Sequence, residues 1–197
     1  MAKWKSLFAK DLSNATFPKG VWYWENGALT ATEDQAIWTN ETYDNFELEL
    51  EFRNAEGTNS GVFVYAEPDR WLTHSVEIQI ADDYDPKWAN SSTNWQCGAI
   101  FGHQAATEQK VVKRPGEWNK YRIVCQDQNI KVFLNGKLVN DADMGKFTSE
   151  KTNPDGTATV DWLSVPMAEL PTQGKVGFQG KHANKPIWFR NLRIREI

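Results

Sequence analysis

A chain of 197 residues, 40% hydrophobic and 24% charged, has the composition of an ordinary globular domain and the length of one large β-sandwich. Its net charge of −4 supplies no basic field for phosphates, which argues against a nucleic-acid partner, and no apolar run approaches the roughly 18 residues of a membrane span. The opening MAKWKSLF lacks the apolar centre of a signal peptide, which leaves a cytoplasmic protein or the mature form of an exported one.

Short alternating segments run from end to end. WKSLF near the N-terminus carries strand-like alternation, as does the C-terminal WFRNLRIREI, and the two are expected to pair or lie side by side in one sheet. Phe46 to Phe52 alternates strictly: Phe46, Leu48, Leu50 and Phe52 take one face and Glu47, Glu49 and Glu51 the other, the pattern of a half-buried strand. Gly61 to Ala66 follows a turn at residues 56–59. SVEIQIA sets Val76, Ile78 and Ile80 inward and Glu77 and Gln79 outward. YRIVCQ and IKVFLNGKLV flank Gln126 to Asn129 as a hairpin, and Asn135-Gly136 marks a second tight turn. KVGFQG and PIWFRNLRIREI close the chain. No segment has a convincing helical period. The expected fold is all-β: a two-sheet antiparallel jelly-roll sandwich forming one domain over residues 1–197.

Two irregular stretches interrupt this pattern, 82–95 and 141–171. The first is rich in Trp, Asn and Asp and follows the SVEIQIA strand directly, so it is expected to shape a site. Of the ten tryptophans, Trp71, Trp88 and Trp95 sit in polar surroundings that suit stacking on the apolar face of a pyranose, a carbohydrate partner. Cys97 and Cys125 read as buried free thiols, with a single disulfide between them as the alternative, and have neither CxxC nor histidine spacing for zinc.

The ordered set WKSLFAKDL, W-x-x-E-N-G-A-L-T (Trp22 to Thr30), IWTNETYDNFELELEFR, TNSGVFVYA, SVEIQIADD, CGAIFGH, PGEWNKYRIVCQDQNIKVFLNGKLV and GKVGFQGKHANKPIWFRNLRIREI resembles the 3-keto-disaccharide hydrolase family over nearly the whole chain. The resemblance implies a concanavalin-like fold, chemistry on sugars already oxidised at C3, and a periplasmic or secreted location. Two departures stand out. Tyr65 occupies a position where the family commonly has arginine, and the interval from Gln179 to His182 is one residue longer than usual.

Candidate site residues follow from strand parity and from these motifs. Glu77, Gln79 and, just past the strand end, Asp82 are expected on the concave sheet, with Trp88 or Trp95 at the rim; a solvated sheet face is the plain alternative for the carboxylates. The spacing of Glu77, Gln79 and Asp82 also resembles, in degraded form, the E-x-D-x-x-E signature of retaining glycosidases, whose paired carboxylates lie roughly 5 Å apart. His103 and His182 fall in loops that the family motifs bring to the cleft, with Gln179 and Lys181 beside the latter. Arg190 either reaches the cleft to hold Glu77 or forms a cross-strand ion pair, and His74 is structural.

A 3-keto group acidifies the C2 proton, so the glycosidic bond can break by elimination, followed by addition of water. Glu77 or His182 could act as base, Asp82 could protonate the leaving oxygen, and Lys181, His103 or a divalent metal could steady the enolate. A divalent metal is the one cofactor this reading leaves open. A non-catalytic sugar-binding module, and a direct retaining glycosidase using Glu77 and Asp82, stand as alternatives.

Overall fold

The computed structural model describes residues 2–197. Its strands, in chain order, are β1 (Lys5–Ser6), β2 (Ala15–Thr16), β3 (Trp22–Glu25), β4 (Ala28–Ala31), β5 (Ile37–Thr39), β6 (Phe46–Asn54), β7 (Asn59–Ala66), β8 (Val76–Ala81), β9 (Asn119–Gln126), β10 (Asn129–Leu134), β11 (Lys137–Asp143), β12 (Lys175–Phe178) and β13 (Ile187–Glu196). They form two antiparallel sheets. The larger runs β11-β10-β9-β6-β13-β4-β3, with β1 also on β13; the smaller runs β2-β5-β12-β7-β8. The sequence period had located β6 through β13 to within a few residues, and the ends meet as expected, Lys5 opposite Ile194. Among the described residues the one α-helical turn, α1 (Pro86–Ala89), is capped by Asp85, whose carboxylate accepts from the Lys87 amide at 2.9 Å.

Alternation explains the sandwich. Phe46, Leu48, Leu50 and Phe52 of β6 are 0–1% exposed and meet Val62, Val64, Ile78, Ile80 and Phe178 from the smaller sheet. The two sheets touch where Phe178 of β12 stacks on Phe189 of β13, ring centroids 4.5 Å apart. Both cysteines are free and buried; Cys97 Sγ lies 3.2 Å from the Tyr121 hydroxyl.

The outer face of the larger sheet carries a ladder of ion pairs. Glu47 meets Arg122 and Arg195; Glu49 meets Lys120 at 3.1 Å and Arg193 at 2.5 Å; Glu51 meets Arg190 at 2.5 Å. Burial pushes the Glu47 carboxyl up, but its two arginines outweigh that and hold it below its ordinary value. Arg190 is therefore the cross-strand partner of Glu51. Its guanidinium also lies 4.0 Å over the Trp118 ring, on the opposite sheet from Glu77, so it cannot hold that carboxylate.

Tyr65 departs from strand geometry. It takes a left-handed backbone conformation, φ 55°, at a register shift between β7 and β12. The bulge turns its ring into the inter-sheet core, where the hydroxyl donates to the Asp127 carbonyl at 3.0 Å, and hands the outer face to Ala66.

Candidate active site

The outer face of the smaller sheet is built on glycine. Gly61 lies opposite Gln79, Phe63 opposite Glu77, and Gly177 pairs with both Phe63 and Trp38. A Cβ at Gly177 would fall 2.2 Å from the Trp38 ring, and one at Gly61 would fall 2.1 Å from Glu77 Oε1. Each glycine is thus an empty side-chain position filled by a neighbour. The Trp38 indole lies over Gly177, and the Glu77 side chain lies down across Gly61 toward β12. Trp38, Phe63 and Trp71 form a small aromatic cluster on this face, with centroids 5.0–6.4 Å apart.

Glu77 shares a narrow pocket with Phe63, Trp71, Phe101, His103 and Trp162; the space left in it is about 20 Å3. Two connections assemble this pocket. The segment 98–101 runs along the free edge of β8, with the Phe101 amide on the Glu77 carbonyl at 2.9 Å, which brings His103 to the acid. The stretch 141–171 then folds across, bringing Trp162 and Leu163; Leu163 approaches so closely over Gly102 that a Cβ there would sit 2.6 Å from it. The second irregular stretch, not the first, supplies the cover.

Electrostatics single out two groups. Burial alone pushes the Glu77 carboxyl up to about 8, with no cation or donor among the described residues to offset it, so it is protonated at neutral pH. His103 is buried, and burial lowers its pKa against the opposing hydrogen bond with Asn153, so it is neutral at the same pH. The pocket pairs an uncharged acid with an uncharged base.

The other sequence candidates divide. On the far side of Gly61, Gln179 donates its backbone amide to the Gly61 carbonyl at 3.0 Å, placing it one strand from the Glu77 carboxyl. His182 follows in a turn with left-handed Ala183 and Asn184; its Nδ1 lies 2.6 Å from Asp34 Oδ2, and Gln179 Nε2 donates to the other Asp34 oxygen at 3.4 Å. Lys181 anchors this turn through its backbone, donating to the Glu33 carbonyl at 2.8 Å.

Gln79 shares the parity of Glu77 but is sealed under the 93–95 turn. Its amide donates to Asn59 Oδ1 and to the Trp95 carbonyl, each at 3.0 Å, so it braces the loop instead of facing the cleft. Asp82 is a correction. Five residues past Glu77 it has the opposite parity, and its carboxylate is spent on the backbone, accepting from the amides of Gly57 at 2.9 Å and Tyr84 at 3.1 Å. It is neither a proton donor for the pocket nor the partner of Glu77 that a retaining glycosidase requires.

Trp88 is likewise corrected: it is 5% exposed, and its indole donates to the Gly57 carbonyl at 3.3 Å. Trp95 does reach the site, as the backing of Phe101 (5.5 Å) and Trp162 (6.3 Å). Among the described residues no group of three or more His, Cys, Asp or Glu side chains is placed to hold a metal ion.

A larger groove of about 760 Å3 opens beyond the other sheet, beside Trp24, Asn191 and Arg193. Its two carboxylates, Glu49 and Glu51, are held in the ion-pair ladder.

The Gly61 position gives a direct test of this geometry. In Gly61→Ala the methyl occupies the space of the carboxyl, whose flexible end must leave. A loss of about 10²-fold in kcat/KM is expected, with the melting temperature nearly unchanged. Full activity in this variant would mean that Glu77 works from another position.

The family model of the 3-keto-alpha-glucoside-1,2-lyase-like domain matches residues 3–195. A 3-keto-disaccharide hydrolase of Bacteroides thetaiotaomicron is 25% identical over an alignment 175 residues long that covers 79% of this chain and 59% of that protein; the chain therefore spans less than two thirds of that relative. A crystal structure from Parabacteroides distasonis, named as a candidate glycosyl hydrolase, superposes with a TM-score of 0.96 at 52% identity, covering 99% of this chain and 100% of that one. A Bacillus subtilis carbohydrate-binding module, CBM66, shares the fold with a TM-score of 0.58 at 13% identity, over 96% of this chain and 99% of the module.

Proposed function

Because the chain belongs to the 3-keto-alpha-glucoside-1,2-lyase-like family, we propose that it cleaves the glycosidic bond of 3-keto-glucosides by elimination, with His103 as base and Glu77 as acid. The observation that carries this reading is the pairing of a protonated carboxyl with a neutral imidazole in one aromatic pocket. An oxocarbenium route needs an ionised carboxylate beside the anomeric carbon, which Glu77 is not at neutral pH and Asp82 cannot supply.

In the proposed sequence His103 Nε2 takes the proton from C2, and the electron pair moves onto the C3 oxygen as an enolate. The enolate collapses to form the C1–C2 double bond while the C1–O bond breaks. The departing oxygen takes the Glu77 proton. Water then adds across the double bond, its hydroxyl to C1 and a proton to C2, which restores Glu77 and His103 and makes the net change a hydrolysis. His182, oriented by Asp34, and Gln179 sit one strand beyond Gly61, where they can bind sugar hydroxyls. The described pocket holds about one water, so a sugar ring enters as Trp162 and Leu72, 48% and 52% exposed, swing outward. Export to the periplasm or beyond belongs to the same proposal.

A 3-keto-glucoside carrying deuterium at C2 tests the reading. Slowed release of the aglycone, or exchange of the label with water, is the expected result, with the unoxidised parent resistant. Equal cleavage of the plain glucoside, without isotope effect or exchange, overturns elimination. Binding of both sugars without cleavage would identify a sugar-binding module.

A further inference from the structure

His103 Nδ1 lies 3.1 Å from Asn153 Oδ1, and the orientation of that amide is fixed from its other end. Asn153 Nδ2 donates to the Gly102 carbonyl at 2.9 Å and to Thr157 Oγ1 at 3.1 Å; a flipped amide would set two carbonyl oxygens face to face. Thr157 in turn directs its hydroxyl proton to Asp155 Oδ1 at 2.6 Å, so its oxygen is available to accept. A carboxylate only accepts, so donor direction is set along the chain from Asp155 to Thr157 to Asn153. The only partner Asn153 Oδ1 can take at His103 is an N–H. With Nδ1 turned into this chain, Nε2 is the ring nitrogen left for the pocket.

We propose that Asn153 is a positioning residue: it fixes the His103 proton on Nδ1 and so leaves Nε2 unprotonated, as the base. This rests on the reading of His103 as base, and it explains why that imidazole is in the right form. An imidazole side chain free in water favours the opposite tautomer, with the proton on Nε2, in which the pocket-facing nitrogen could accept nothing. Asn153 is 3% exposed and holds its own loop through the Thr157 carbonyl at 2.8 Å, so the turn 153–157 supports the base, and the cover residues Trp162 and Leu163 follow it in the same connection.

Nitrogen-15 NMR on histidine-labelled full-length protein reads the tautomer directly. The chain has three histidines, and the His103 signals are those lost in His103→Gln. The wild type should carry the proton on Nδ1. Asn153→Ala should shift it toward Nε2 and lower kcat on the 3-keto-glucoside by about 10²-fold with little change in KM. Asn153→Asp, which can still accept the Nδ1 proton, should keep the tautomer, recover part of kcat, and move the acid limb of the kcat/KM profile to higher pH. Thr157→Val, at an exposed position, should produce a smaller shift in the same direction and does not depend on folding of the Asn153 variants. A wild-type proton on Nε2, or a tautomer unmoved in Asn153→Ala and Thr157→Val, overturns the role of Asn153. A shifted tautomer with turnover unchanged, in Asn153→Ala and in His103→Gln alike, overturns instead the assignment of His103 as base.

Discussion

Glu77→Gln should lower kcat/KM on a 3-keto-glucoside by about 10²- to 10⁴-fold, the range set by loss of a positioned proton donor, and leave the fold intact. The side chain lies across Gly61 outside the inter-sheet core, and among the described residues it makes no ion pair that the amide would break. The wild-type pH profile should be bell-shaped near neutrality. The alkaline limb falls as Glu77 loses its proton at about 8, and the acid limb falls as His103, whose pKa lies below its ordinary value, gains one. Stability should follow the same carboxyl. Its folded pKa is raised above the unfolded value near 4.5, so the folded state holds the extra proton between the two. That contribution is complete below the lower pH and is lost as pH rises through about 8. Thermal melts of wild type and Glu77→Gln should therefore diverge on the alkaline side, the variant melting higher there. Wild-type turnover in the variant would return Glu77 to the role of a solvated face residue.

Phe178→Ala should be the most damaging of these substitutions to stability. Phe178 is fully buried and stacks on Phe189 at the contact between the two sheets, so truncation opens a cavity that neither backbone can close. A cost of about 3–5 kcal/mol is expected, seen as a fall of roughly 10 °C or more in melting temperature for a chain of this size. Phe178 also lies in β12, immediately before Gln179, so the variant should lose sugar binding in step with unfolding and not before it. A melting temperature within a degree or two of wild type would mean that the sheets are held together elsewhere.

The fold was readable because its information is local. A period of two over Phe46–Phe52 and Val76–Ile80 assigned which side chains enter the core, and Asn135-Gly136 marked a turn that the structure contains. The same parity sets Glu77 beside Phe63 on the outer face of β8 and sends Asp82, an odd five steps further on, to the backbone amides of Gly57 and Tyr84, however near the two carboxyls are in sequence. Loop composition misled in a different way. Trp88 sits among Asp, Asn and Lys, yet the backbone carbonyl of Gly57 captures its indole and buries it. The partners that define the site lie far off in sequence. Asn153 is 50 residues from His103, and Asp34 is 148 residues from His182. No periodicity links such pairs. The sequence signal that points to one of them is the N-P-D-G-T run at 153–157, a turn motif inside an otherwise irregular stretch.

The ion-pair ladder on the larger sheet also divides the molecule electrically. Three carboxylates, Glu47, Glu49 and Glu51, face five cations, Arg122, Arg195, Lys120, Arg193 and Arg190, so that surface is positive by two charges. The whole chain carries −4, so everything outside the ladder is more negative than the total. The two excess positive charges of the ladder lie on the larger sheet, whereas Glu77 belongs to the smaller one. Within a Debye length of about 8–10 Å at ordinary salt, a neutral glycoside approaches either side without bias. A sugar carboxylate that comes within that distance of the ladder is attracted to the larger sheet, not to the strand that carries Glu77.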